Sequence, residues 1–211
     1  METIADPERA IPMAAYMKDH FVYLGVQAKP RRAIARRALT LAKGAPADEL
    51  IDAANWCWRQ EPRELQYVGM DLLRAGAKNL RPDDLAGLRH FVETKSWWDT
   101  VDSLAAHSVG RLVANNRELS AEMDRWIDDD NIWVARTAIL HQLSWKGAAE
   151  PERLFDYAKR RADDTEFFIR KALGWALRNL ARVEPELVRT FVDRHRDELS
   201  GLTIREATKH L

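Results

Sequence analysis

Trp98 and Asp102 stand one helical turn apart, and Trp175 falls on the matching face of a later segment once the chain is laid out in its repeat. A carboxylate between two indoles suits one kind of chemistry: it stabilises a developing cation through its own charge and through the negative faces of the rings. Breaking an N-glycosidic bond generates such a cation, because the sugar approaches an oxocarbenium ion as the base departs. A leaving base that already carries positive charge departs as a neutral molecule and needs no strong general acid. One carboxylate, able also to orient a water, then suffices, and no second carboxylate shares the stripe. The same stripe carries Trp133 with Arg136, and Phe168 with Lys171. Each of these residues has an ordinary structural reading as well. A Trp on a helix face packs, a lone Asp caps or is solvated, Arg136 pairs with the acidic run Asp128, Asp129 and Asp130, and Lys171 is solvated surface.

The elements that must position these residues form a repeat. Segments starting at Arg63, Trp98, Trp133, Phe168 and Thr203 begin 35 residues apart every time, and the last two align as FIRKA against TIREA. Pro62, Pro82, Pro151 and Pro185, mostly followed by acids, mark helix starts between them. No segment alternates like a strand, so the sequence predicts about a dozen short helices and no sheet. A 35-residue unit holds two helices and two turns, which makes the expected fold all-α: an α-solenoid of HEAT-like helix pairs, one domain over residues 1–211, with a concave groove. Within each second helix, positions 5, 6 and 9 after the start are core-like, as in Val68, Gly69 and Leu72 or Leu173, Gly174 and Leu177. The opposite stripe, mixing large aromatics with charges, is a poor core and an expected binding surface.

Composition limits the alternatives. The 33 basic and 33 acidic residues cancel, so the high pI usual for a nucleic-acid binder is absent and any anionic partner requires the cations to be segregated onto one face. A single cysteine, Cys57, excludes a disulfide framework or a cysteine-rich zinc site and suits a reducing cytoplasm. The first ten residues are polar and acidic, unlike a signal peptide, and no apolar run reaches the ~20 residues that span a bilayer. There is no Gly-rich phosphate loop and no His-Glu-x-x-His zinc motif, and the six histidines do not pair at ligand spacing, so no metal or organic cofactor is expected. The acidic run at 128–130 reads as an N-terminal cap. The basic run Lys29-Pro-Arg31-Arg32 suits either a phosphate backbone or a solvated helix start.

Several stretches together resemble the AlkD family of DNA alkylation repair glycosylases. They are KSWWDTVD at 95–102, WIDDDNIW at 126–133 with Arg136, FFIRKALGW at 167–175, MAAYMKDHF at 13–21 with LGVQ at 24–27, and IREATKH at 204–210. The similarity runs from about Pro7 to the end. By this resemblance Asp102 corresponds to the catalytic carboxylate, and Trp98 and Trp175 to the indoles that contact the lesion's sugar. Tyr16, Gln27 and Arg136 correspond to duplex contacts, Arg136 through a phosphate, and Phe168 and Lys171 lie on the same expected DNA-binding stripe. The resemblance implies a monofunctional glycosylase that excises cationic N3- and N7-alkylated purines from double-stranded DNA without extruding the nucleotide. Such a protein is expected to be a monomer, free of cofactors, cytoplasmic and nucleoid-associated when bound. The alternative is a non-catalytic HEAT-like module that binds DNA structures or a protein partner.

Overall fold

The computed structural model describes residues 1–211, the side chain of Glu2 excepted. The chain divides into two compact units, residues 1–87 and 88–211. Both are helical, with no strand among the described residues.

The first unit contains α1 (Pro7–Tyr16), α2 (Ala28–Ala42), α3 (Ala47–Arg59) and α4 (Arg63–Gly76). Asp6 caps α1 by accepting from the Arg9 amide at 3.1 Å, with Pro7 at the first helical position, and Asp48 and Glu49 complement the dipole at the start of α3. Helix α4 packs against both α2 and α3. Its Val68 and Leu72 close a core with Ala35 and Ala42 of α2 and with Leu50 and Cys57 of α3. Each fully buried aliphatic there stabilises the fold by about 1.5–3 kcal/mol. Gly69 lets the helices meet closely, since a Cβ there would lie 2.9 Å from the Cβ of Cys57. Burial pushes the Cys57 thiol up to about 11, so it stays a protonated core group.

The other face of α4 departs from the expected open stripe. Arg63, Glu64 and Gln66 are fully buried. Glu64 accepts from the amides of Leu24 and Val26 at 3.0 Å, and the Arg63 guanidinium lies 3.7 Å from the Phe21 ring centroid. The loop before α2 has backbone amides that no helix satisfies, and Glu64 satisfies them.

After α5 (Leu85–Glu93), the second unit runs through α6 (Trp98–Ser103), a π-helical stretch (Leu104–Val109) and α7 (Gly110–Asn115). It continues with α8 (Ser120–Trp126), α9 (Ile132–Leu140), α10 (Pro151–Arg160), α11 (Phe167–Leu180), α12 (Pro185–Arg194) and α13 (Gly201–Ala207). Helices α4, α6, α9, α11 and α13 start within two residues of the expected repeat starts. Within the second unit α6 packs on α9, α9 on α11 and α11 on α13, which is a stack of helix pairs in repeat order. Side chains reach one repeat back to hold it. Ser144 donates to the Ala106 carbonyl at 2.7 Å, Trp145 Nε1 to the Gly110 carbonyl at 2.8 Å, Asn179 to the Leu143 carbonyl at 2.9 Å and Thr203 to the Arg170 carbonyl at 3.1 Å. Two of the four acceptors lie in or just after the π-helical stretch, where backbone pairing departs from the α pattern.

The acidic run before α9 serves differently from the expectation. The cap of α9 is Asn131, which accepts from the Trp133 amide at 3.0 Å, while Asp128 pairs with Arg160 and Asp129 with Arg89 at 2.6 Å. Asn131 stands immediately before the helix, where its side-chain oxygen is in reach of the free amides of the first turn.

Candidate active site

Asp102 lies near the end of α6, just ahead of the π-helical stretch, with its side chain only 14 % exposed. It is gripped by Arg136 of α9, one repeat on: Nε donates to one carboxylate oxygen at 2.7 Å and Nη2 to the other at 2.8 Å. The remaining terminal nitrogen, Nη1, donates to the backbone carbonyl of Phe168 at the start of α11. Three successive repeats therefore meet at one guanidinium. This two-pronged geometry is available to Arg and not to Lys, and its charge-assisted bonds are about twice as strong as neutral ones.

Next to Arg136 stands an aromatic cluster. Trp97, Trp133 and Phe168 form a triangle of rings, with centroids 5.5 Å apart for the two indoles and 5.1 and 5.0 Å from each indole to Phe168. The Arg136 guanidinium carbon lies 5.8 Å from the Phe168 centroid. Burial raises the Asp102 carboxyl above its ordinary value, the two Arg136 bonds and the Arg136 charge pull it back down, and Asp99 adds a smaller upward push. The arrangement is thus a poorly hydrated carboxylate whose charged form is opposed by burial and supported by one fixed cation.

Arg136 does not pair with the acidic run at 128–130. It is 3 % exposed, and its partners are Asp102 and Phe168. Asp128 and Asp129 of that run pair with Arg160 and Arg89, and α9 turns Arg136 toward α6 instead. Trp98 and Trp175 are half-buried, Trp98 one turn ahead of Asp102 on α6 and Trp175 two turns beyond Phe168 on α11. Phe168 is half-buried, and Lys171 is exposed with its ammonium 5.5 Å from the ring centroid of exposed Phe167. In the other unit, Tyr16 ends α1 at 70 % exposure and Gln27, also exposed, is the residue before α2.

Trp97 was not singled out by the sequence, since it sits one place before the repeat start. Its backbone is extended at the residue preceding α6, and that is what carries its ring to Trp133. The doubled Trp at 97 and 98 was the available signal: one ring for the cluster, one for the helix face.

Stacked helix pairs with side-chain links one repeat apart define the class, an all-helical repeat protein. The chain belongs to the DNA alkylation repair enzyme family, whose model matches residues 1–211. It is similar to a predicted DNA alkylation repair enzyme from Enterococcus faecalis, at 29% identity and a TM-score of 0.90 over 98% of this chain and 96% of that one. AlkD2 from Streptococcus mutans is similar in fold, at 17% identity and a TM-score of 0.69 over 96% and 99% of the two chains. So is smu.31 from Streptococcus mutans UA159, at 17% identity and a TM-score of 0.66 over 95% and 96%. No curated protein matches the chain.

Proposed function

We propose that the chain is a monofunctional DNA glycosylase that removes cationic N3- and N7-alkylated purines from duplex DNA. The observation that carries this reading is the buried, doubly held Asp102 carboxylate beside Trp98. Family membership supplies DNA alkylation repair as the setting. As the bond between C1′ and the base nitrogen breaks, its electron pair goes to the base, which leaves neutral, and the sugar takes up the positive charge. Asp102 stabilises that charge and orients a water. The water oxygen bonds to C1′, its proton passes to the carboxylate or solvent, and an abasic site remains. Trp98 and Trp175 contact the sugar with their ring faces. In this reading the lesion stays stacked in the duplex and presents its sugar, not its base, to Asp102. Tyr16, Gln27, Phe168 and Lys171 are duplex contacts in this reading.

In this reading Arg136 acts on Asp102 and not on a phosphate. It fixes the orientation of the carboxylate and opposes its protonation in a site where burial favours the neutral form. The test is single-turnover release of 7-methylguanine from methylated duplex DNA, with wild type and Asp102→Asn compared below their melting transitions. Release by the wild type and its loss in the variant are expected. A folded Asp102→Asn protein releasing the base at the wild-type rate removes Asp102 from the mechanism, and a wild type that binds duplex without releasing any base favours the non-catalytic module.

A further inference from the structure

Between His20 and Ala47 the chain has no Asp or Glu and six Lys or Arg, although its overall charge is zero. Helix α2 carries most of them. Arg31 turns inward, 5 % exposed, and meets Asp71 of α4 at 3.2 Å. Arg32 reaches the same carboxylate at 3.3 Å but leaves 53 % of its side chain in solvent. Asp71 thus already faces two cations. Beyond it, Arg32 and Arg36 of α2, Lys43 just after that helix and Arg74 of α4 line an open cleft of about 540 Å³. Among the described residues no carboxylate pairs with Arg36, Lys43 or Arg74.

Elsewhere on the surface arginines are treated differently. Arg9, Arg125, Arg189 and Arg196 each have an acid three residues away on their own segment. A solvated helix face in this protein therefore matches each arginine with an acid, whereas in the α2–α4 cleft Asp71 is the one carboxylate lining it beside Arg32, Arg36, Lys43 and Arg74. Gathering like charges opposes folding by mutual repulsion, so the cleft suits an anionic occupant that offsets it. Arg32, Arg36 and Lys43 recur at intervals of four and seven residues, so they share one stripe and rise by about 6 and 10 Å along the axis. That spacing fits a run of phosphates along a strand, and two of the three can grip phosphate oxygens with a guanidinium fork.

We propose that the α2–α4 cleft is a lesion-independent docking site for the phosphate backbone of duplex DNA. The inference rests on the DNA-repair reading but not on the chemistry at Asp102. It gives the first unit a binding task separate from base release.

The probe is a short, fluorescently labelled, undamaged duplex, titrated with full-length protein by anisotropy over a range of salt concentrations. The variant combines Arg36→Ala, Lys43→Ala and Arg74→Ala, and Arg196→Ala serves as an ion-paired surface control. The triple variant is expected to bind more weakly, with the salt slope reduced by roughly three units, about one for each lost phosphate contact, while the control matches wild type. An unchanged slope in a folded triple variant overturns the proposal, whether or not affinity falls. Base release, measured separately on methylated duplex, distinguishes the two readings. Release with an unaffected slope sinks the cleft alone, and a reduced slope without release sinks the glycosylase alone.

Discussion

Asp102 and Arg136 are both largely buried and held by each other, so neither can be changed without leaving the other's charge in a poorly solvating site. Asp102→Asn keeps an acceptor for the Arg136 Nε–H but leaves a buried guanidinium uncompensated. A lower melting temperature is therefore expected along with a loss of base release on the order of 10²–10³. The loss should be larger for 7-methylguanine than for 3-methyladenine, which leaves more readily by itself. The carboxylate must be ionised to act, and its folded pKa is raised above the ordinary carboxylate range of about 4. Release should accordingly increase with pH through a midpoint above that range. In Arg136→Ala the downward pull is gone, so the midpoint should move to higher pH, and the slope of DNA binding against salt should stay that of the wild type. A drop in that slope by about one unit, with the pH profile unmoved, would instead make Arg136 a phosphate contact.

Helix α11 is held between α9 and α13, and the approach to α13 depends on Gly174. A Cβ there would lie 2.5 Å from the Cβ of Glu206 and 2.8 Å from the Thr203 carbonyl. Backbone cannot move aside as a flexible side-chain end can, so Gly174→Ala should push α13 outward and cost about 1–3 kcal/mol, despite the better helix propensity of Ala. Thermal melting measures this. Structure of the variant should show the Thr203–Arg170 bond, 3.1 Å here, lengthened or lost. Asn179→Ala is a milder test of the same stacking. It removes the donor to the Leu143 carbonyl, whose loss at a partly buried site costs about 1 kcal/mol.

The stability of the molecule as a function of pH is governed in part by a residue far from any proposed chemistry. His141 is fully buried, its Nδ1 2.6 Å from the Ala138 carbonyl, its ring 5.0 Å from Trp145 and 6.4 Å from Tyr157. Burial lowers it to about 4 from an unfolded value of 6.5, with Arg153 adding to the effect, while the Ala138 bond, Glu150 and Asp124 oppose it. A depressed folded pKa means that the unfolded chain binds the proton first. Stability is therefore full above pH 6.5 and is lost as pH falls toward 4, by about 3 kcal/mol over that window. Chemical denaturation at a series of pH values should show this slope in wild type and a flatter one in His141→Gln. An equal slope in both proteins would assign the acid sensitivity to other groups.

The repeat was legible because helix starts recur at a fixed interval and because core positions must be apolar or small whatever the neighbours are. Val68, Gly69 and Leu72, and likewise Leu173, Gly174 and Leu177, were read correctly as core on that ground alone. Asp102 stood out for its type and its turn-spacing from Trp98, which are local properties of one helix. Which charge Asp102 would meet was not local. Arg136 lies 34 residues away, and its choice among Asp102, the acidic run and a phosphate depended on how α9 rotates against α6. The sequence likewise marked α4 with the same stripe as the later repeats, yet the loop at 21–26 packs on it, with Arg63 against the Phe21 ring and Glu64 accepting from the Leu24 and Val26 amides. Periodicity records which residues share a face. Only the packed chain decides what that face is pressed against, since pairing of buried charges is settled by distances of a few ångströms between segments remote in sequence.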